Sequence, residues 1–252
     1  MIQISTTHSP ATDLGFLLHK NPNRVHELEL SFGKATILYP VADEAKCSIA
    51  LLLDLDTIAL VRGKEGSGGS LKQYVNDRPY VASSFLASAL VRCFGTTISG
   101  RCKDKPELVN QILPFEVEIP VIACRAGEQA FKRLFEPLGY EVAVERIALD
   151  EKFPEWGESE YYSLRLSGTK TTQDLLRHLY VLLPVLDARK HYAMEESEVN
   201  KLLTKGADWL AAHPEKNWII RAYFGRKTSF IRSALEQLAN VEPALDEEEA
   251  GL

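Results

Sequence analysis

The chain has 252 residues, of which 45% are hydrophobic and 25% are charged, the profile of a folded soluble protein rather than a disordered one. No apolar run approaches the roughly 20 residues of a membrane-spanning helix, and the first seven residues lack the features of a secretion signal, so we expect a cytoplasmic protein with no membrane partner. Five acids after residue 240 supply most of the net charge of −6, and the rest of the chain neither attracts nor repels nucleic acid strongly.

The first 113 residues predict an α+β lobe. Ser9 and Pro10 are typical of an N-cap and a first helical position, which predicts a helix to about Lys20. Four glycines between residues 63 and 70 indicate a loop, and the apolar spacing that follows predicts a buried helix ending near Gly95. Four segments have the composition of strands: residues 2–7, 25–30, 34–39 and 48–55.

Residues 114–240 predict a second α+β lobe with a helical end. The apolar pattern predicts a helix over residues 128–138, followed by Gly139, and further helices over residues 195–240. Three segments resemble strands: residues 115–122, 140–149 and 161–166. Six leucines trace one face of another helix: Leu175, Leu176, Leu179, Leu182, Leu183 and Leu186. The predicted fold class is α+β, with two lobes that each have a mainly antiparallel sheet covered by helices, and a helical C-terminal region.

Motifs for catalysis, cofactors and metals are absent from the sequence. No P-loop, Rossmann fingerprint or nucleophile elbow is present, and the histidines lack metal-site spacing. Asp54 and Asp56 end an apolar strand and could hold a metal, although two strand-end acids in solvent are the more economical interpretation. The cysteines form no C-x-x-C pair, which predicts four reduced and mostly buried thiols: Cys47, Cys93, Cys102 and Cys124.

Basic residues occur in two clusters, and both allow a structural interpretation. The first cluster surrounds a turn and consists of Arg92, Arg101, Lys103 and Lys105. The second cluster is interleaved with Trp218, Tyr223 and Phe224 and consists of Lys216, Arg221, Arg226, Lys227 and Arg232. Interleaved aromatic and basic residues can stack bases and neutralise phosphates, but they also form the core face and wet face of one amphipathic helix.

Eight strings of the sequence resemble a known family. They are TTHSPATDLGFLLHK (residues 6–20), SFGKA (31–35), YVNDRPYVASSF (74–85), GRCK (100–103), RLFEPLGY (133–140), FPEWG (153–157), HLYVLLPVLD (178–187) and KHY (190–192). Over about residues 4–223 the chain resembles the N-terminal half of the bacterial Hen-type RNA methyltransferase, which methylates the 2′-hydroxyl of an RNA 3′-terminal ribose.

This resemblance implies a division of labour between two halves of a longer protein. The methyltransferase chemistry, with S-adenosylmethionine and a divalent metal, would lie in a C-terminal half that this chain lacks, so we expect no catalytic, cofactor or metal residue here. Residues 241–252 would be the acidic linker toward that domain. The N-terminal half would bind and activate the ligase domain of the partner RNA-repair kinase–phosphatase–ligase, in a heterotetrameric assembly.

The resemblance also suggests which residues contact the ligase. Interfaces draw their energy from a few aromatic and arginine anchors, so polar and aromatic positions of the matching strings are the candidates. They are Tyr74, Asn76, Asp77, Arg78, Tyr80, Arg101, Lys103, Trp156, Lys190, His191 and Tyr192. For Tyr80 and Trp156 core packing is an equal alternative, Asp77 is also suited to cap a helix, and His191 to end one.

An RNA-binding module is the alternative function. It would position the RNA 3′ end, as in cleaved tRNA-like substrates, for the methyltransferase half. The residues for that contact are Lys216, Arg221, Arg226 and Lys227.

Overall fold

In the residues that the structure describes, one antiparallel sheet of seven strands runs through both halves of the protein. The computed structural model describes residues 1–56, 82–150, 152–187, 197–224 and 228–239. The strands are β1 (Ile2–Thr6), β2 (His26–Leu30), β3 (Gly33–Ala42), β4 (Cys47–Leu55), β5 (Ile112–Ala123), β6 (Glu141–Ala148) and β7 (Glu158–Thr171). Their order across the sheet is β2-β3-β4-β1-β5-β7-β6.

Strand β1 joins the two predicted sheets into a single one. Ile4 pairs with Ile49 of β4 on one side and with Val117 of β5 on the other. The α+β class, the antiparallel pairing and the helical C-terminal region are confirmed, but the sheets of the two halves are continuous. Residue 114, the predicted start of the second lobe, lies inside β5, and the division into lobes stays a prediction.

Seven α-helices accompany the sheet in the described residues. They are α1 (Asp13–Leu17), α2 (Ala82–Ile98), α3 (Gln129–Phe135), α4 (Thr172–Asp187), α5 (Ser197–Leu210), α6 (Lys216–Phe224) and α7 (Thr228–Ala239). None of these helices is long and apolar enough to cross a membrane.

Helix α4 is the central helix of the core, as its leucine spacing predicts. All six leucines of the predicted face are at most 1% exposed, and the helix contacts α2, α5, α6 and the sheet. It begins after Thr171, whose hydroxyl accepts the Asp174 backbone N–H at 3.1 Å and donates to the Asp174 carboxylate at 2.7 Å. Gln173 and Arg177 each donate to the carbonyl oxygen of Ile98 at 3.1 Å, which satisfies the C-terminal end of α2.

Helices α1 and α2 have other boundaries than the sequence predicts. Helix α1 begins at Asp13 rather than Pro10 and ends at Leu17 rather than near Lys20. The Ala11 backbone N–H donates to the Glu44 carbonyl instead of joining the helix, and the Asp13 N–H donates to the Pro10 carbonyl. Helix α2 continues past Gly95 to Ile98 with a kink at Phe94. The four cysteines are buried and unbridged, as predicted.

Candidate partner-binding surface

The connection between β6 and β7 presents an exposed pair of stacked aromatic rings. The ring centroids of Phe153 and Trp156 are 4.8 Å apart and their planes differ by 14°. Trp156 is 61% exposed, Phe153 is 43% exposed, and Leu149 in the same connection is 57% exposed. We call these three residues the aromatic tip.

Backbone hydrogen bonds hold the aromatic tip in shape. The Asp150 carboxylate accepts the Lys152 N–H at 2.7 Å, and the Trp156 N–H donates to the Phe153 carbonyl at 2.9 Å within a short 3-10 turn. Gly157 ends the turn with φ +84°, a backbone conformation that residues other than glycine rarely adopt. These bonds order the backbone that carries the two rings, and the rings stack on each other.

Arg146 anchors the base of the same hairpin. Its guanidinium lies 5.2 Å from the Tyr162 ring centroid, its Nε donates to the Tyr162 hydroxyl at 2.9 Å, and it pairs with Glu158. Tyr162 is 1% exposed, so the hairpin is connected to the core immediately below the tip.

Arg101 and Lys103 lie on a second exposed surface, in the loop that follows α2. Both side chains are exposed, and the Arg101 carbonyl lies 3.1 Å from Nε2 of His19. The two basic residues line an open depression of about 790 Å³ together with Thr96 and Asn110. This surface carries two exposed basic side chains, in contrast to the aromatic tip.

The remaining predicted partner-binding residues lie outside the described part of the chain: Tyr74, Asn76, Asp77, Arg78, Tyr80, Lys190, His191 and Tyr192. Their role stays a prediction. Of the predicted set, the structure places Arg101, Lys103 and Trp156 on exposed surfaces. It adds Phe153 and Leu149, which the sequence analysis did not name. The string FPEWG contains Phe153 three residues before Trp156 in a Pro- and Gly-rich segment, and that proximity was the available signal.

The predicted RNA-contact cluster has packed aromatic rings. Tyr223 and Phe224 are 3% and 1% exposed, and Trp218 is partly buried with the Arg133 guanidinium 5.0 Å from its centroid. Of the basic residues, Lys216 donates to the Ala211 carbonyl at 3.1 Å and Arg221 is exposed. Arg226 and Lys227 lie outside the described residues. Tyr223 and Phe224 thus belong to the core. This agrees with the interpretation of the cluster as an amphipathic helix with a core face and a wet face.

The pair Asp54 and Asp56 has ordinary strand-end surroundings. Both carboxylates are exposed, Asp54 lies opposite Lys34 in the β3–β4 pairing, and the Asp56 N–H donates to the Phe32 carbonyl. Among the residues that the structure describes, no group of three or more potential ligands could hold a metal ion.

A buried histidine lies between α4 and its neighbours. Nδ1 of His178 is 2.9 Å from the Tyr140 hydroxyl, and its ring meets the Trp209 ring edge-to-face at 5.0 Å. Burial lowers the pKa of His178 to about 3, with smaller contributions from Lys170, His213 and Arg177. The imidazole is therefore neutral at pH 7 and is a structural element of the core.

A buried carboxylate ends helix α4. Asp187 is 3% exposed, and its Oδ2 accepts a long hydrogen bond of 3.4 Å from the Ser83 hydroxyl. Burial raises the pKa of Asp187 to about 6, although Ser83 and Arg125 lower it. Neither His178 nor Asp187 could be singled out from the sequence, because the burial of each depends on helices that are distant along the chain.

Comparisons with known proteins give the chain its family and its fold. Residues 1–239 match the family model described as the RNA repair, ligase-Pnkp-associating, region of Hen1. No curated protein matches the chain. A chain of the Pnkp1/Rnl/Hen1 RNA repair complex shares the fold with a TM-score of 0.53 at 12% identity, over 95% of this chain and 57% of that one. A chain of a second Pnkp1/Rnl/Hen1 complex does so with a TM-score of 0.54 at 12% identity, over 94% and 56%.

The two kinds of match establish different things. At 12% identity the solved structures show the fold alone, and this chain spans little more than half of their length. The family match extends over nearly all of the sequence and confirms the resemblance noted above. This chain belongs to the family of RNA-repair, ligase–Pnkp-associating regions of Hen1.

Proposed function

We propose that this chain is a non-catalytic protein-binding part of an RNA-repair assembly. It binds the ligase domain of a kinase–phosphatase–ligase and switches that ligase on. The observation that carries this proposal is the family match over residues 1–239, whose description names association with ligase and Pnkp. We assign the methyl transfer implied by the resemblance, with its S-adenosylmethionine and metal, to a different part of the whole protein.

The exposed surfaces support a role in binding. Trp and Arg are enriched among the residues that dominate interface energies, and the structure exposes Trp156 on one surface and Arg101 on another. The buried ionisable groups His178 and Asp187 are enclosed by core elements rather than directed into an open cleft.

Activation requires more than binding. A partner that binds the active and the inactive ligase equally well shifts no equilibrium, so this chain must bind the active conformation more tightly. A hundredfold preference corresponds to about 2.7 kcal/mol, which one or two well-buried interface anchors can supply.

The test is an end-joining assay with purified proteins. The ligase-bearing protein is incubated with a nicked RNA duplex alone, with this protein, or with an unrelated protein of equal size. We expect stimulation only by this protein, together with a stable complex in size-exclusion chromatography. A complex without stimulation would reject activation and retain binding, whereas the absence of a complex would reject both.

RNA binding has weaker support among the described residues, because Tyr223 and Phe224 of the basic cluster are buried. An RNA-presenting module would bind an RNA oligonucleotide with an affinity that falls steeply with salt. We expect no such binding by this protein at 50 mM salt, as measured by fluorescence anisotropy.

A further inference from the structure

The aromatic tip places apolar surface in water without a visible structural reason. Leu149, Phe153 and Trp156 lie within eight residues of each other and are 57%, 43% and 61% exposed. Tryptophan is rare on free surfaces and is the residue type most often found at the energetic centre of interfaces. Phe153 stacks on Trp156, and 61% of the tryptophan remains exposed beside this contact.

The aromatic tip is also organised before any partner arrives. The Lys152 N–H donates to the Asp150 carboxylate, the Trp156 N–H donates to the Phe153 carbonyl, and Arg146 connects the hairpin to Tyr162 of the core. A loop whose backbone is already ordered loses little conformational freedom on binding, which leaves more of the contact energy as affinity.

The charges around the aromatic tip indicate the chemistry of the partner. Between residues 150 and 160 the structure describes four acids and one lysine: Asp150, Glu155, Glu158, Glu160 and Lys152. Glu158 and Glu160 pair with Arg146 and Arg125, so that acids still outnumber bases among the remaining side chains of the segment. We call the acids of this segment the charged rim. The charged rim would repel RNA phosphates, whereas it would attract lysine or arginine side chains of a protein.

We infer that the aromatic tip is the anchor by which this chain docks on the ligase-bearing protein, inserting Trp156 and Phe153 into an apolar pocket that basic residues surround. This inference rests on the proposed function and specifies its contact surface.

The test measures the affinity of the protein for the ligase-bearing partner by isothermal titration calorimetry. Trp156→Ala should weaken binding at least about thirtyfold, the effect of a strong interface anchor. Phe153→Ala and Phe16→Ala form a matched pair, because these two phenylalanines are 43% and 42% exposed. The first should weaken binding about tenfold or more and the second by less than about twofold.

Two further variants exclude misfolding and test the charged rim. Trp156→Phe keeps an aromatic ring and should retain part of the affinity, with unfolding midpoints in urea equal to those of the unmodified protein. Glu155→Lys should weaken binding, and its effect should decrease as salt is raised, because the contribution of an exposed charge is screened.

The outcomes separate the inference from the proposed function. If the unmodified protein does not bind the partner, the proposed function fails. If the unmodified protein binds the partner and Trp156→Ala has an affinity within about twofold of it, the docking surface is wrong and the function stands. The same conclusion follows if Phe16→Ala binds the partner more weakly than Phe153→Ala does. If Trp156→Ala instead lowers the affinity for a single-stranded RNA oligonucleotide and leaves protein binding intact, the tip is a base-stacking platform and the inference is overturned.

Discussion

Replacement of His178 by glutamine should reduce the acid sensitivity of the fold. In the folded protein burial lowers the pKa of His178 to about 3, whereas the pKa of a histidine in an unfolded chain is about 6.5. Between these values only the unfolded chain takes up a proton, so the contribution of His178 to stability is full above pH 6.5 and is lost as the pH falls toward 3.

The size of the effect follows from the two pKa values. Between pH 7.5 and pH 5.0 the proton uptake of the unfolded chain lowers the free energy of unfolding by about 2 kcal/mol. Asp187 acts in the opposite direction, since its pKa is raised to about 6 and the folded state takes up its proton first. Over the same interval the protonation of Asp187 raises the free energy of unfolding by about 1.4 kcal/mol. The total stability of the unmodified protein therefore shows only part of the effect of His178.

A comparison of variants removes that ambiguity. Urea unfolding at both pH values gives the pH-dependent loss for the unmodified protein and for His178→Gln, and the second loss should be smaller by about 2 kcal/mol. Glutamine retains an acceptor for the Tyr140 hydroxyl. Tyr140→Phe serves as the control, because it removes the hydrogen bond at 2.9 Å but leaves the histidine buried, and its pH dependence should remain that of the unmodified protein. Equal pH-dependent losses in His178→Gln and the unmodified protein would refute this reasoning.

Three further predictions concern stability. Leu179→Ala should lower the free energy of unfolding in urea by about 2–5 kcal/mol, since the side chain is 0% exposed; a smaller loss would contradict its central position. Asp187→Asn should raise it at pH 7.5 by up to about 3 kcal/mol by removing a buried charge, with a gain that shrinks toward pH 4; a gain independent of pH would argue against burial as the cause. Gly33→Ala should destabilise by at least about 2 kcal/mol, because the added Cβ would lie 2.0 Å from the Asp54 carbonyl. Gly95→Ala meets nothing within 4 Å and should be neutral or stabilising in thermal melts; similar losses at both glycines would contradict the steric argument.

Local patterns along the sequence predicted the elements better than their arrangement. The leucine spacing of α4 was sufficient because one helical face must be covered, and every leucine of that face is buried. The single sheet was not predictable in this way, because the pairing of Ile4 with Val117 joins segments that are far apart in the chain. Hydrophobic alternation indicates a strand but not its neighbour.

The candidate site shows the same division. Composition predicted the exposure of Arg101 and Lys103, since charged side chains are seldom buried. For Trp156 it could not decide between core and surface, because an indole is common in both. The β6–β7 connection decided it, because Trp156 stands in a short 3-10 turn that ends at Gly157, with its side chain 61% exposed. The role of Trp156 in binding stays a prediction.

The central position of β1 has a consequence for synthesis on the ribosome. Strand β1 is made before β4 and can pair with it once residue 55 has emerged, but its other neighbour, β5, begins only at residue 112. At about 5–20 residues per second, the nascent chain would expose one open edge of β1 for roughly 3 to 12 seconds. An uncovered strand edge accepts any extended segment nearby. We therefore expect the nascent chain to be most vulnerable to mispairing, and most dependent on chaperones, during that interval.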